Sequence, residues 1–90
     1  MKRVHVFVSG KVQGVCYRAE TRRYAKSFNL KGWVRNLRDG RVECVFEGKE
    51  ENVNKMIEWC KIGPEFSSVQ EVKTIEELFT GNFTDFSVRY

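Results

Sequence analysis

Ninety residues, 41% hydrophobic and 31% charged, fit one globular domain spanning 1–90 with a single modest core. One proline and no low-complexity stretch exclude a disordered chain. The formal net charge of +4 favours anionic partners in general, yet the basic residues are scattered (Lys2-Arg3, Arg22-Arg23, Arg38, Arg41), which excludes a polybasic address signal.

Arg3 to Ser9 alternates, with Val4, Val6 and Val8 on one face, and predicts a strand that Gly10 breaks. A loop containing Gly14 follows. From Tyr17 to Asn29 the period changes: Tyr17, Tyr24, Ala25 and Phe28 form one stripe of a helix that Asn29 ends. Leu30–Arg38 and Arg41–Glu47 read as strands joined by Asp39-Gly40, which predicts a two-residue type I′ hairpin. Val53, Met56, Ile57 and Cys60 mark a second helix that ends near Lys61, before Gly63-Pro64. Glu47, Glu50 and Glu51 flank its start, where negative charge suits the helix dipole. Val69–Glu77 is a fourth strand, Thr80-Gly81-Asn82 a turn, and Phe83–Tyr90 a short final strand.

The order is β-α-β-β-α-β plus a terminal strand. It predicts an α+β, ferredoxin-like α/β sandwich in which two helices cover one face of an antiparallel sheet. That architecture serves many functions, so function must be read from sites.

Cys16, Cys44 and Cys60 are an odd count with no C-x-x-C pair. They predict reduced thiols in a cytoplasmic protein rather than a disulfide framework or a zinc knuckle. No apolar stretch approaches the roughly 20 residues of a membrane span. The charged, alternating start predicts no signal peptide. His5 has no acid nearby in sequence and reads as structural, while Cys44, Cys60, Trp33 and Trp59 read as packing residues.

The informative segment is Gly10-Lys11-Val12-Gln13-Gly14-Val15-Cys16-Tyr17-Arg18. It leaves a strand and enters a helix N-terminus, where unpaired N–H groups and the helix dipole favour anions. Gly14 permits a sharp turn, and the Arg18 guanidinium offers a fork of donors matched to phosphate oxygens. On local physics alone, an ordinary connection with a solvated arginine reads equally well. The segment is neither a Walker A nor a G-x-G-x-x-G loop, so no nucleotide site is indicated. Cys16 and Arg22 satisfy Cys-x5-Arg, but Tyr17-Arg18-Ala19-Glu20-Thr21 lacks glycine and continues the helical pattern, so a phosphocysteine loop is not expected.

The same segment resembles the signature loop of the acylphosphatase family. Gly32-Trp33-Val34-Arg35-Asn36-Leu37-Arg38-Asp39-Gly40-Arg41-Val42-Glu43 resembles that family's second motif, and Gly63-Pro64 and Phe86-Ser87-Val88-Arg89-Tyr90 also fit. Cys16-Tyr17 stands where many members have Gly-Phe. The resemblance implies hydrolysis of a small-molecule acyl phosphate without metal or cofactor, by a monomer, with inorganic phosphate as product and inhibitor. It implies that Arg18 and the backbone N–H groups of Gln13, Gly14, Val15, Cys16, Tyr17 and Arg18 hold the phosphoryl group, and that Asn36 holds the attacking water. Strand alternation places Asn36 on the Val34 face, just before the turn. RNA-recognition domains share the element order, and Phe7 could stack a base. However, Arg41–Glu47 lacks the RNP1 pattern and carries two glutamates, so no nucleic acid partner is expected. An RNA-binding module and a non-catalytic phosphate-binding domain of the same family stand as the alternatives.

Overall fold

The computed structural model describes residues 1–90. The elements are β1 (Lys2–Lys11), α1 (Tyr17–Ser27), β2 (Lys31–Asn36), β3 (Val42–Gly48), α2 (Glu50–Ile62), β4 (Ser68–Glu77) and β5 (Phe86–Arg89). They form one sheet in the order β4-β1-β3-β2-β5. β1 pairs antiparallel with β3 and β4, and β2 pairs antiparallel with β3, as expected. β5, in contrast, runs parallel to β2, so the sheet is mixed. The cause is connectivity. β4 and β5 occupy opposite edges, and residues 78–85 carry the chain across the end of the sheet between them. Only Phe86–Arg89 of the expected Phe83–Tyr90 strand pairs, because the crossing takes up the first residues.

Three other expectations need correction. Gly10 does not end β1, which continues to Lys11 through an irregularity at Ser9/Gly10. Gly10 holds φ +121°, and a Cβ there would meet the Ser68 carbonyl oxygen, so glycine lets the strand bend while it stays paired. The hairpin between β2 and β3 is not type I′, since Gly40 has a positive φ (95°) and Asp39 does not. Gly40 N–H donates to the Leu37 carbonyl (3.2 Å) and Leu37 N–H to the Arg41 carbonyl (2.8 Å). These bonds define a three-residue connection with Gly40 in the left-handed position. Finally, Glu47 does not flank α2, because its side chain is buried on the sheet.

The core lies between the sheet and the helices. Val4, Val6 and Val8 of β1 sit opposite Phe46, Cys44 and Val42 of β3 on the helix-covered face. α1 contributes Tyr17, Thr21 and Ala25, and α2 contributes Val53, Met56 and Cys60. α1 ends as its sequence suggests: Asn29 takes φ 57°, and Leu30 N–H reaches back to the Ala25 carbonyl at 2.9 Å.

The opposite face carries charge. His5 sits between Glu43 (Nε2 to Oε2, 2.7 Å) and Glu77 (Nδ1 to Oε2, 3.0 Å). Its acidic partners are distant in sequence and arrive from β3 and β4. Arg3 bridges Glu77 at 2.8 Å and Glu47 at 3.2 Å. Glu47 also accepts from Thr80 N–H and Oγ1–H and from Gly81 N–H, which ties the 78–85 crossing to the middle of the sheet.

Burial alone would raise the Glu47 carboxyl. The bonds from Thr80, Arg3 and Gly81 outweigh it and hold the group below its usual value of about 4.5. Burial likewise opposes, and bonds from Arg35 and His5 outweigh, for Glu43. Both carboxyls are therefore lowered in the folded chain. Unfolded chains bind more protons at low pH, so this stability is fully present above about pH 4.5 and is lost as pH falls through the folded-state values. The urea midpoint should drop between about pH 6 and about pH 3, and should drop less in Glu47→Gln, as followed by circular dichroism.

Candidate functional site

β1, β2 and β5 run in the same direction, and their carboxyl ends meet the N-terminus of α1. A cleft of about 180 Å³ opens there. Gly14, Cys16 and Arg18 line it from the loop and helix, Asn36 from the end of β2, and Val88 and Tyr90 from the C-terminus.

The loop is built to present its backbone. Gly14 has φ 73°, and Cys16, the residue capping α1, has φ 62° and ψ 23°. A left-handed non-glycine residue stores strain on the order of 1 kcal/mol, which is found where a site demands a particular backbone path. No side chain caps α1. None of the N–H groups from Gln13 to Arg18 donates to a protein acceptor. The first bonded amide is that of Glu20, which reaches the Cys16 carbonyl at 3.1 Å. This leaves a run of free donors on one loop, at the positive end of a helix.

Arg18 leans toward the C-terminal strand. Its Nη1 donates to the Arg89 carbonyl at 3.3 Å, and its guanidinium carbon lies 4.7 Å from the centre of the Tyr90 ring. One N–H is thereby engaged, and most of the donor fork stays free. Asn36 is the most informative residue. Its Oδ1 is buried and accepts no hydrogen bond from the protein. Such an orphaned acceptor costs about 1–3 kcal/mol, and a native chain retains one only for a reason.

The six loop residues named from the sequence divide into two groups. Gly14, Cys16, Tyr17 and Arg18 line the cleft, with Val12 and Ala19. Gln13 and Val15 do not. Val15 packs half-buried against the core. The Gln13 side chain turns away and donates to the Leu37 and Arg41 carbonyls. The Tyr17 ring is buried and packs against Trp59, with ring centres 5.4 Å apart. Its hydroxyl donates to the Cys60 carbonyl at 2.8 Å. Cys60 is four residues before Pro64, which has no N–H to continue the helical ladder, so the phenol satisfies the carbonyl that proline leaves open. Burial pushes the Tyr17 phenol far up, keeping it a neutral donor.

Val88 and Tyr90 also line the cleft, and the Arg89 carbonyl receives Arg18, placements that the sequence pattern does not reveal. The alternation of Phe86, Val88 and Tyr90 is visible in the sequence and puts them on one face. Which sheet edge receives that face is not. Cys44 and Cys60 are buried packing residues, and all three cysteines are free.

Fold and site define a class of protein: a small α+β domain with a cleft that joins free backbone donors, one arginine and one orphaned amide oxygen. The family model for acylphosphatase matches residues 4–88. An acylphosphatase of Syntrophus aciditrophicus is 54% identical over 90 residues, covering 100% of this chain and 94% of its own. The crystal structure of acylphosphatase from Bacillus subtilis superposes with a TM-score of 0.96 at 36% identity, covering 100% of both chains. An acylphosphatase structure from Coxiella burnetii gives 0.92 at 40% identity, covering 98% of this chain and 92% of its own. The chain belongs to the acylphosphatase family.

Tyr17 supplies a test of the scaffold around the cleft. Tyr17→Phe should cost about 1–2 kcal/mol by leaving the Cys60 carbonyl unpaired, read as a lower urea midpoint at unchanged slope.

Proposed function

We propose that this chain hydrolyses the carboxyl–phosphate bond of small acyl phosphates. In this reading, Arg18 and the amides from Gln13 to Arg18 hold the phosphoryl group, and Asn36 directs the water. The observation that carries the proposal is the orphaned Asn36 Oδ1 in the same cleft as Arg18 and the loop residues Gly14, Cys16 and Tyr17, whose amides are free. The donors match phosphoryl oxygens, while the lone acceptor matches the O–H of a water.

The chemistry suits so sparse a site. Water oxygen attacks phosphorus, the bond from phosphorus to the acyl oxygen breaks, and a carboxylate leaves with the bonding pair. Its conjugate acid has a pKa of roughly 4, so it departs without a proton and no general acid is needed. The water's proton passes to a phosphate oxygen, giving inorganic phosphate and a carboxylate. Phosphoryl transfer rests on positioning and charge stabilisation. Fixed amides, the helix terminus and the guanidinium supply both without metal or cofactor.

Every group in this scheme comes from one chain, so a monomer suffices. Three free cysteines, two of them buried, fit a reducing cytoplasm, and no helix is long and apolar enough to cross a membrane. The open sheet face fits nucleic acid poorly. Phe7 is stacked on His5 at 4.7 Å, Arg41 covers it at 5.0 Å, and Glu43 lies among them.

Benzoyl phosphate hydrolysis in EDTA tests the reading. Wild type should turn over at an undiminished rate, with inorganic phosphate competing. Arg18→Ala should lose turnover and phosphate binding together. Asn36→Ala should lower kcat by roughly 10²–10³ at nearly constant KM, a loss typical of removing one group that acts in the transition state. Normal turnover in Asn36→Ala would overturn the water-directing role.

A further inference from the structure

Gln13 lies inside the phosphate-holding loop, yet its side chain does not line the cleft. Its Nε2 donates both hydrogens, one to the Leu37 carbonyl (2.7 Å) and one to the Arg41 carbonyl (3.0 Å). Two facing carbonyls fix which end of the amide is NH2. With both N–H groups engaged, the side chain retains only an acceptor, which cannot hold an anion.

The partners of Gln13 are not arbitrary. Leu37 and Arg41 close the hairpin: Leu37 N–H donates to the Arg41 carbonyl at 2.8 Å, and Gly40 N–H to the Leu37 carbonyl at 3.2 Å. Leu37 directly follows Asn36, and Gln13 directly precedes Gly14. No other hydrogen bond joins the loop of residues 12–16 to the turn of residues 37–41. One amide therefore connects the segment that carries the free donors to the strand end that carries the orphaned acceptor.

Building on the reading of the cleft as an acyl phosphate site, we propose that the Gln13 side chain is a positioning residue. It braces the loop against the hairpin and sets the distance between bound phosphorus and the water held at Asn36. Phosphate binding draws on Arg18 and on amides within the loop itself, so it survives loss of the brace. Attack by water needs the two segments in register, and a misplacement of about 1 Å can cost on the order of 10²-fold in rate.

The test uses benzoyl phosphate kinetics and inhibition by inorganic phosphate for wild type, Gln13→Ala and Gln13→Met. Methionine keeps the side chain's bulk and lacks its donors, so it serves if alanine fails to fold; urea midpoints report folding for both. The expected result is kcat lowered roughly 10–100-fold, with the inhibition constant for phosphate within about twofold of wild type. In an Asn36→Ala background the same Gln13 changes should add little, because the brace acts through Asn36. Three outcomes overturn the brace. Normal kcat in a folded Gln13→Met variant would do so. A loss of phosphate affinity matching the loss of turnover would make Gln13 a ligand-holding residue. Full additivity with Asn36→Ala would show that the two act independently. An inactive wild type would instead sink the acyl phosphate reading itself, so the two failures are distinguishable.

Discussion

Everything at the cleft depends on a row of residues across the three central strands at the end of the sheet that borders it. Val8 of β1 pairs with Val42 of β3, and Val42 pairs with Asn36 of β2. This row fixes the height at which β1 releases its chain into the loop relative to the height at which β2 ends. Side chains alternate along a strand, so a slip of one residue would turn Val4, Val6 and Val8 to the wrong face. The apolar pattern forbids that slip. The hydrophobic core therefore sets the separation between the loop donors and Asn36, and Gln13 trims what the core leaves free.

The two sheet faces treat polar groups in opposite ways. On the open face, Glu43 and Glu47 are almost fully buried, and each is satisfied several times over by Arg35, His5, Arg3, Thr80 and Gly81. These bonds keep the carboxylates charged despite burial, and they hold the 78–85 crossing in place. That crossing in turn delivers β5 to the edge of β2, and with it the Arg89 carbonyl and the Tyr90 ring to Arg18. On the helix-covered face, one buried acceptor, Asn36 Oδ1, goes unsatisfied at the mouth of the cleft. The same chain that satisfies its glutamates so thoroughly leaves this one amide oxygen bare, which is the exception that buried polar groups rarely make.

Much of this was legible beforehand, and what was not has a common cause. The helix stripes, the four main strands and the helix stop at Asn29 are local patterns of period and turn chemistry, and the structure reproduces them. The Asp39-Gly40 dipeptide suits more than one hairpin geometry, so its presence alone does not choose the turn type. Leu37 N–H bonds the Arg41 carbonyl four residues on, and that bond together with Gly40 N–H to the Leu37 carbonyl defines the three-residue form. Gly10 looks like a strand breaker until the Ser68 carbonyl is seen packed where its Cβ would be. Tyr17 reads from its spacing as the first residue of a helix stripe, and only the fold brings its hydroxyl to the Cys60 carbonyl, which Pro64 leaves in want of a donor.

The sequence by itself determined the element order, the apolar face of each element and the two motifs that carry Arg18 and Asn36. These follow from neighbours a few residues apart, whose spacing is written directly in the chain. Only the tertiary structure decided that β5 would run parallel to β2, that Tyr90 would stack on Arg18, and that the Gln13 amide would reach the hairpin rather than the cleft. Each of those contacts joins residues more than twenty positions apart. No local propensity encodes them, because their partners are brought within reach only once the sheet has set its register.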